Sequence, residues 1–409
     1  MAAQAEALDF NLVDPRNTLD EVFYPRLERL RVHAPVFWSD IQKAWIATSH
    51  EAVWAGFHDP RFSAQRQLNQ FRSIPEGERA QVIPNLSRYN PDWIVNVDGV
   101  KHLRLRKLVV KAFSRHVVEA LRPQVEQLVQ GVLDEVEGRD EVEFVQDVAF
   151  RIPATVITRL LGLPDDYIPE LRDWARGMTA LSAAPPREDL ILADGVMARM
   201  NEVFREQIAL RRANPGADLL SQLVTARDDK DSLTEDELLG LCHILIIAGH
   251  NTTANGIAGG LLAFLRNPDQ RQYFLDNPEH GLDCMTEMLR YGGMSTAQVR
   301  IVAEDMELDG QSLKAGQPIF LMIAAANRDP AVFEDPARFD STRRNDQAMT
   351  FGPGFHHCLG HLLTRMELEV FFRAFFQRFS RVEVLDEEVA FTPTIIFRGP
   401  EKLRVRLGA

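Results

Sequence analysis

The stretch that decides the fold is F-G-P-G-F-H-H-C-L-G, which runs from Phe351 to Gly360 and contains Cys358. Two glycines and a proline come before the cysteine, and a strongly periodic apolar segment follows Gly360. This pattern predicts a constrained loop that ends at the start of a helix. Backbone N–H groups and the helix dipole at such a position favour thiolate over thiol. We therefore expect Cys358 to be a soft, electron-rich metal ligand.

The chemistry around Cys358 narrows the choice of metal. Cys358 has no Cys or His partner at the spacing of a tetrahedral zinc site. The remaining natural candidate is the axial position of a haem iron, where a thiolate donates electron density that favours O–O cleavage. A buried structural cysteine beside a helix start is the alternative interpretation.

The stretch also resembles the haem-binding signature of cytochrome P450 monooxygenases, F-x-x-G-x-H-x-C-x-G. Phe351, Gly354, His356, Cys358 and Gly360 match it position for position, and the resemblance covers nearly the whole chain from about residue 15. It implies a mainly α fold with a small β-rich region, in a single domain over residues 1–409 with 1–15 as an irregular N-terminal arm. It also implies haem b between a long central helix and the cysteine-loop helix, with dioxygen as co-substrate.

Composition limits the partners and the compartment. The net charge of -13 argues against a general affinity for nucleic acid or anionic membranes. Three cysteines are too few for a disulfide framework, and we expect Cys242 and Cys284 to be small core residues. The first ten residues lack the features of a signal peptide, and no apolar run is long enough to span a bilayer. We expect a cytoplasmic protein with no membrane contact.

The first hundred residues are predicted to contain few long elements. A helix is expected over 20–31, and short strands are expected over 36–38 and 44–48. Residues 61–93 are predicted to be irregular because three prolines interrupt them. In the resembling family this stretch covers the substrate pocket.

A basic amphipathic helix is predicted over 100–113. His102 and Arg106 are four residues apart, so they share one face. A solvated face is the ordinary explanation of such a pair. The segment also resembles the family's D-x-x-x-H-x-R-x-R motif, which implies that His102 and Arg106 bind one haem propionate. The resemblance places Arg300 on the second propionate, with His356 on the same side.

The longest helical pattern runs over 234–265, with Thr234 as its cap and Glu237 three residues later. It is apolar nearly all round before the polar segment A-G-H-N-T-T, Ala248 to Thr253. Glycine and threonine weaken a helix interior, and a weakened buried helix is a candidate functional site. A harmless kink with threonine back-bonding is the alternative.

This segment resembles the family's A-G-x-[D/E]-T-T motif for oxygen activation. The resemblance implies that Ala248 and Gly249 leave room for dioxygen and that the hydroxyl of Thr252 passes protons to it. Asn251 stands where the family has an acid, and an amide cannot titrate near neutral pH. Proton delivery is then expected through water and Thr252 or through His250, although His250 can equally be a satisfied interior histidine.

Other site residues follow from the resemblance. Glu287 and Arg290 match the fold-locking E-x-x-R pair, and Arg338 is expected to be its third member. Asp309-Gly310 predicts a tight hairpin turn. The candidate substrate-pocket residues are largely apolar and suit a terpenoid, aromatic or fatty molecule: Val82, Leu86, Trp93, Val95, Leu181, Ile244, Ile247, Ala248, Thr296, Val299 and Ile395.

The predicted function is insertion of one oxygen atom into a small apolar substrate, by hydroxylation or O-dealkylation. No flavin- or nicotinamide-binding motif is evident, so a ferredoxin and a ferredoxin reductase are the expected electron donors. They are predicted to dock near Arg104, Lys107, Lys111 and Arg365. Three rivals remain: a peroxide-driven peroxygenase, a tailoring oxygenase acting on a carrier-protein-bound substrate, and a non-catalytic haem sensor.

Overall fold

The computed structural model describes residues 11–12, 14–179, 181, 185–228, 231–392 and 396–408. Its α-helices, in chain order, are α1 Asp20–His33, α2 His50–His58, α3 Gln67–Gln70, α4 Glu76–Val82, α5 Pro84–Tyr89, α6 Gly99–Val109, α7 Arg115–Val136, α8 Arg151–Leu160, α9 Ile168–Thr179, α10 Arg187–Ala213, α11 Leu219–Thr225, α12 Glu235–Arg266, α13 Pro268–Asp276, α14 Gly281–Gly292, α15 Ile323–Ala326 and α16 His361–Arg378. A π-helical turn, Val145–Ala149, comes shortly before α8. The strands are short and few, so the chain is mainly α-helical with a small β region, as predicted.

The strands are β1 Val36–Ser39, β2 Ala44–Ala47, β3 Phe62–Ser63, β4 Val142–Glu143, β5 Arg227–Asp228, β6 Asp231–Ser232, β7 Gln298–Val302, β8 Met306–Leu308, β9 Gln311–Leu313, β10 Pro318–Leu321, β11 Arg381–Val384 and β12 Arg404–Gly408. The largest sheet has the order β1-β2-β10-β7-β3. β10 is parallel to β2 and antiparallel to β7. The β8–β9 hairpin turns at Asp309 and Gly310, which both have positive φ as a tight primed turn requires.

The described chain groups into two compact units. The first contains Met1–Ser63, Val118–Ile152 and Thr252–Ala409. One face of its five-stranded sheet packs on α2, with Trp45, Phe57 and Ile319 among the buried side chains. A second core lies along α16, where Phe372 packs edge-on against Phe264 of α12 at 5.1 Å between ring centroids. Both cores consist of aromatic and aliphatic side chains, whose burial supplies most of the stabilisation.

The second unit contains Ala64–Val117 and Pro153–Asn251. The buried carboxylate of Asp194, on α10, accepts hydrogen bonds from the Leu86 N–H at 2.8 Å and from Asn85 Nδ2 at 3.0 Å. This contact fixes the start of α5 against α10. The segment predicted to be irregular over 61–93 forms the short helices α3, α4 and α5 instead. Its prolines exclude a long helix but not short ones, because Pro84 occupies the first turn of α5.

The long helix α12 begins as predicted. Thr234 Oγ1 accepts from the Glu237 N–H at 3.2 Å, and the Glu237 carboxylate accepts from the Thr234 N–H at 2.9 Å, which is a capping box. The helix continues without interruption through Ala248 to Thr253 and ends at Arg266, so the predicted helix over 234–265 is confirmed. Within the part of the chain that the structure describes, no helix is long and apolar enough to cross a membrane.

Candidate functional site

The loop that carries Cys358 is held by its own backbone. The Cys358 N–H donates to the Phe351 carbonyl at 2.9 Å, which closes the loop. Gly352 and Gly354 have φ of 61° and 83°. A Cβ on Gly354 would lie 2.3 Å from the carbonyl oxygen of Phe57, so no other residue fits there. The loop therefore presents Cys358 three residues before α16 begins, as predicted.

Gly360 has a different explanation. Its φ is -84°, and a Cβ placed on it would meet nothing within 4 Å. Neither the backbone conformation nor contacts with other protein atoms require glycine at this position. Open space beside the loop is what a bound planar group next to Cys358 would need, so the residues here fit a haem.

The Glu287–Arg290 pair connects α14 to the segment that leads into the loop. Both side chains are fully buried, and Arg290 Nε lies 2.6 Å from Glu287 Oε2. Arg290 Nη1 also donates to the Asn327 carbonyl at 2.7 Å. The Asn327 side chain in turn accepts from the Met349 N–H at 2.8 Å and donates to Thr350 Oγ1 at 3.2 Å. The pair is thus linked to the residues directly before Phe351, and sequence reasoning missed Asn327 because it matches no motif used.

The third member of this network differs from the prediction. The Arg338 side chain is 62% exposed, and only its backbone carbonyl accepts from Arg290, at 3.1 Å. The cationic side chain that approaches Glu287 is that of Arg343, whose Nε lies 3.3 Å from Oε1. Arg343 follows Arg338 by five residues in a segment without regular structure, where sequence spacing does not fix side-chain direction.

Arg300 lies on β7, opposite Ile319 of β10, and its side chain is 5% exposed. Its Nη1 donates to the Val299 carbonyl at 2.9 Å, and its guanidinium lies over the Phe57 ring. His356 is half-buried in the cysteine loop. A buried arginine and a histidine in one unit suit an anionic group, such as a propionate, and their role toward it stays a prediction.

In the second unit, α6 carries the other predicted propionate ligands. His102 is 2% exposed, and Arg106, one turn later, is half-buried, so the pair is not a solvated face. Arg104 forms an ion pair with Glu237, a residue of the α12 capping box. Arg104 is therefore engaged inside its unit and is a poor docking residue, whereas Lys107 and Lys111 are exposed.

The segment of α12 around Ala248 is unlike the rest of the helix. Residues 238–246 are all buried, yet Ala248 is exposed, which indicates open space beside it. Gly249 has a packing reason, because a Cβ there would lie 2.9 Å from Ile157 Cγ1. His250 is buried, and its Nδ1 lies 2.6 Å from the Ile246 carbonyl. Burial lowers the pKa of His250 to about 4, so its imidazole is neutral at neutral pH.

Asn251 and Thr252 are half-buried. The next residue, Thr253, is 1% exposed, and its hydroxyl lies 3.3 Å from that of Thr364 on α16. Of the two adjacent threonines, Thr253 therefore connects helices within the first unit, and the role of Thr252 in oxygen chemistry stays a prediction.

The candidate pocket residues fall into both units. In the second unit, Leu86, Trp93, Leu181 and Ile244 are buried, whereas Val82, Val95 and Ile247 are half-buried. In the first unit, Thr296 and Val299 are buried, and the Thr296 hydroxyl has no hydrogen-bond partner. Ile395 lies outside the described residues. Their contact with a substrate stays a prediction.

The remaining cysteines are core residues. Cys242 and Cys284 are both fully buried, and burial raises the pKa of the Cys284 thiol to about 11 and that of Cys242 further. These thiols stay protonated at neutral pH and are poor ligands. Among the residues that the structure describes, no cluster of three His, Cys, Asp or Glu side chains could hold a metal ion.

Comparison with known proteins shows which proteins share this sequence and fold. A family model described as Cytochrome P450 matches residues 189–273 and 283–404. Cytochrome P450 107B1 of Saccharopolyspora erythraea is 35% identical over 373 residues, which cover 90% of each chain. The structure of epothilone D-bound cytochrome P450epoK has a TM-score of 0.89 and 30% identity, covering 98% of this chain and 99% of that one. P450BioI, in complex with an acyl carrier protein ligated to hexadec-9Z-enoic acid, has a TM-score of 0.86 and 29% identity, covering 95% and 98%.

Proposed function

This chain belongs to the cytochrome P450 family, as a monooxygenase with haem b as cofactor and dioxygen as co-substrate, and we propose that it hydroxylates or O-dealkylates a small apolar molecule. The observation that carries this proposal is the Cys358 loop, which is closed by the Phe351 carbonyl and has open space beside Gly360. The apolar character of the buried candidate pocket residues supports an apolar substrate.

The cofactor has a proposed holder for each of its polar parts. Cys358 would supply the thiolate ligand of the iron, and Phe351 and Gly360 of the same loop would lie beside the bound cofactor. His102 and Arg106 would hold one propionate, and Arg300 and His356 would hold the other. Bound haem supplies the redox-active iron at which dioxygen is activated.

The residues of α12 control oxygen and protons in this proposal. Exposed Ala248, followed by Gly249, leaves space for a diatomic molecule. The Thr252 hydroxyl donates a proton toward that space and is resupplied by water. Asn251 orients that water through its amide but cannot titrate. His250 is a poor relay because its imidazole is neutral and held by the Ile246 carbonyl.

Electrons are proposed to come from a ferredoxin and its reductase. Lys107 and Lys111 are exposed and suit an acidic partner. Arg365 is half-buried, with its guanidinium over the Phe351 ring, so it stands close to the cysteine loop. Arg104 contributes less because Glu237 neutralises it. A cytoplasmic location stays a prediction of the sequence.

A second candidate function is oxidation of a substrate attached to a carrier protein. The similarity to P450BioI, solved with a ligated acyl carrier protein, favours it. Binding of acyl-carrier-protein thioesters, compared with the same acyl groups as free acids, separates the two candidates. A peroxygenase is separated by product formation with hydrogen peroxide alone.

The test of the proposed function begins with the Cys358→Ser variant. The wild-type protein, reduced and exposed to carbon monoxide, is expected to show the red-shifted Soret band of thiolate ligation, and the variant is expected to lose it. Cys284→Ala is the matched control, because Cys284 is a buried cysteine outside the loop. Turnover of apolar compounds with a ferredoxin, its reductase and NADPH is then measured. A thiolate-type band in Cys358→Ser, or no turnover of any compound that shifts the haem spin state, contradicts the proposal.

A further inference from the structure

We propose that Arg66 and Gln70 form a binding site for the carboxylate end of the substrate, so that the substrate is an amphipathic carboxylic acid with an N–H or O–H group next to the carboxylate. This inference rests on the proposed function and names its substrate class. The site lies wholly within the second unit, at the start of α3.

Across the described ranges of the chain, no acidic side chain pairs with the guanidinium of Arg66. Its Nε is buried and has no hydrogen-bond partner. Burial lowers the pKa of its guanidinium to about 10, and no acidic side chain opposes this effect. Withdrawing a cation from water without pairing it is costly, so a protein that keeps one at such a position has a use for it.

Arg66 is also half-buried rather than inaccessible. Part of the Arg66 side chain therefore keeps accessible surface that a ligand can reach, although its Nε is buried. Its fork of N–H donors matches a carboxylate in two parallel hydrogen bonds. One guanidinium neutralises one negative charge, which favours a monocarboxylate over a phosphate dianion.

Gln70 adds the second half of the site. It lies one helical turn after Arg66, on the same face, and is 6% exposed. Its Nε2 donates to the Leu181 carbonyl at 2.6 Å, which fixes the amide orientation. Its Oε1 is buried and has no partner. This oxygen can only accept, so the ligand must present an N–H or O–H there.

Three other arginines of the same unit make contacts of a kind that Arg66 lacks. Arg79 donates to the carbonyls of Ile74 and Phe71, and Arg88 pairs with Asp236 at 3.0 Å. Arg205 donates to Tyr89 Oη at 2.6 Å. Each of these has a protein partner. The Gln70 contact also connects the site to Leu181, one of the candidate pocket residues.

The test uses three ligands with the same alkyl chain and the haem-containing protein. Dodecanol has no charge, dodecanoic acid adds a carboxylate, and N-dodecanoylglycine adds an amide N–H beside it. Haem spin-state titration gives a Kd for each. The wild type is expected to bind N-dodecanoylglycine most tightly and dodecanol most weakly.

Variants of Arg66 and of Gln70 should change different steps in this order of affinities. Arg66→Gln is expected to weaken both acids roughly 10- to 100-fold while leaving dodecanol unchanged, and Arg66→Lys should restore part of the loss. Gln70→Met should remove only the advantage of N-dodecanoylglycine over dodecanoic acid. Arg72→Gln is the matched control, because Arg72 is an exposed arginine of the same segment.

Three outcomes overturn the proposal. The first is that the wild type binds dodecanoic acid and dodecanol with equal affinity. The second is that Arg66→Gln weakens the binding of all three ligands equally. The third is that Arg66→Gln loses haem, which would assign Arg66 to the cofactor. In the first two cases dodecanol still shifts the spin state, so the proposed function survives. Failure of every apolar compound to shift the spectrum would instead contradict the proposed function itself.

Discussion

Two buried glutamates of the first unit have opposite surroundings. Glu287, on α14, is fully buried, and its two carboxylate oxygens receive Arg290 Nε and Nη2 at 2.6 and 2.9 Å. The Asp340 N–H and Arg343 Nε also reach Oε1, at 3.0 and 3.3 Å. Glu367, on α16, is 2% exposed, and its Oε2 has no hydrogen-bond partner.

The difference sets the charge of each side chain. Desolvation raises the pKa of Glu367 to about 8, so its carboxyl group is mostly neutral at pH 7. Glu287 instead lies between the cationic side chains of Arg290 and Arg343. Equal burial therefore does not imply an equal role: Glu287 joins separate segments, whereas Glu367 is an acid held neutral by its environment. Arg66, in the second unit, extends the contrast to cations, because its buried Nε has no hydrogen-bond partner, whereas Arg290 Nε has Glu287.

The largest effect is expected for Glu287→Ala. The change leaves the fully buried Arg290 without its carboxylate partner, and removing one member of a buried pair costs about 3–5 kcal/mol of unfolding free energy. Urea denaturation followed by circular dichroism measures this. A loss below about 1 kcal/mol would show that the pair is not the structural lock that its hydrogen bonds suggest.

The second prediction concerns Glu367→Gln and its dependence on pH. The folded-state pKa lies above the ordinary value of 4.5, so between pH 4.5 and about 8 the folded protein binds more protons than the unfolded chain. Wild-type stability should therefore fall as pH rises through this window, by at most about 1.4 kcal/mol per pH unit from this group. Glutamine is neutral throughout and removes that slope.

Urea midpoints at pH 5, 6, 7 and 8 provide the measurement for Glu367→Gln. The stability difference between variant and wild type should grow in favour of the variant as pH rises. Parallel profiles for the two proteins would mean that Glu367 is ionised and paired in the folded state. Glu367→Asp serves as the control, because it keeps a titrating carboxyl group.

His243 provides a third comparison, because it is a buried base without partners. It is fully buried on α12, and neither ring nitrogen has a hydrogen-bond partner. Tyr89, Trp93 and Phe204 surround it edge-on. Burial lowers the pKa of His243 to about 3. Below the ordinary value of 6.5 the unfolded chain binds the proton first, so this group makes stability fall as pH drops from 6.5 toward 3.

His243→Phe is expected to flatten part of the stability loss between pH 6.5 and 4 and to gain about 1 kcal/mol at pH 7, because an unsatisfied polar ring is replaced by an apolar one. Thermal unfolding across this pH range tests it. His250 titrates in the same range, so a residual slope should remain. His243→Leu controls for the larger volume of phenylalanine, and an unchanged slope in both variants would mean that His243 has a partner in solution.

The sequence predicted those features that depend on local pattern. The capping box of Thr234 and Glu237 and the Asp309-Gly310 turn each follow from a few adjacent residues, and the structure confirms both. The short helices over 61–93 were not predicted, because proline in the first turn of a helix, as at Pro84, does not interrupt it. The sequence could not predict that the buried atoms of Arg66 and Glu367 lack hydrogen-bond partners. No sequence pattern indicates which charged side chains stay apart after folding.

The same limit explains the last prediction, which separates Arg343 from Arg338. Both arginines lie in the irregular segment after Pro336. The resemblance of the segment P-A-R-F, Pro336 to Phe339, favoured Arg338 as the partner of the buried pair. The structure gives that place to Arg343, whose side chain is 13% exposed beside Glu287, while the Arg338 side chain is 62% exposed. Arg343→Gln should therefore cost about 1–2 kcal/mol by urea denaturation, because it weakens one charge-assisted hydrogen bond at a buried carboxylate.

Arg338→Ala is the matched change and should stay within about 0.5 kcal/mol of the wild type, since only its backbone carbonyl contacts Arg290. Alanine keeps that carbonyl in place, so the variant removes the side chain alone. If Arg338→Ala lowers the free energy of unfolding more than Arg343→Gln does, the sequence-based assignment is right and Arg343 does not contribute to the network. If neither variant changes the free energy of unfolding, Glu287 and Arg290 need no third charge. Glu287 and Glu367 then differ only in whether the carboxylate has one cationic partner.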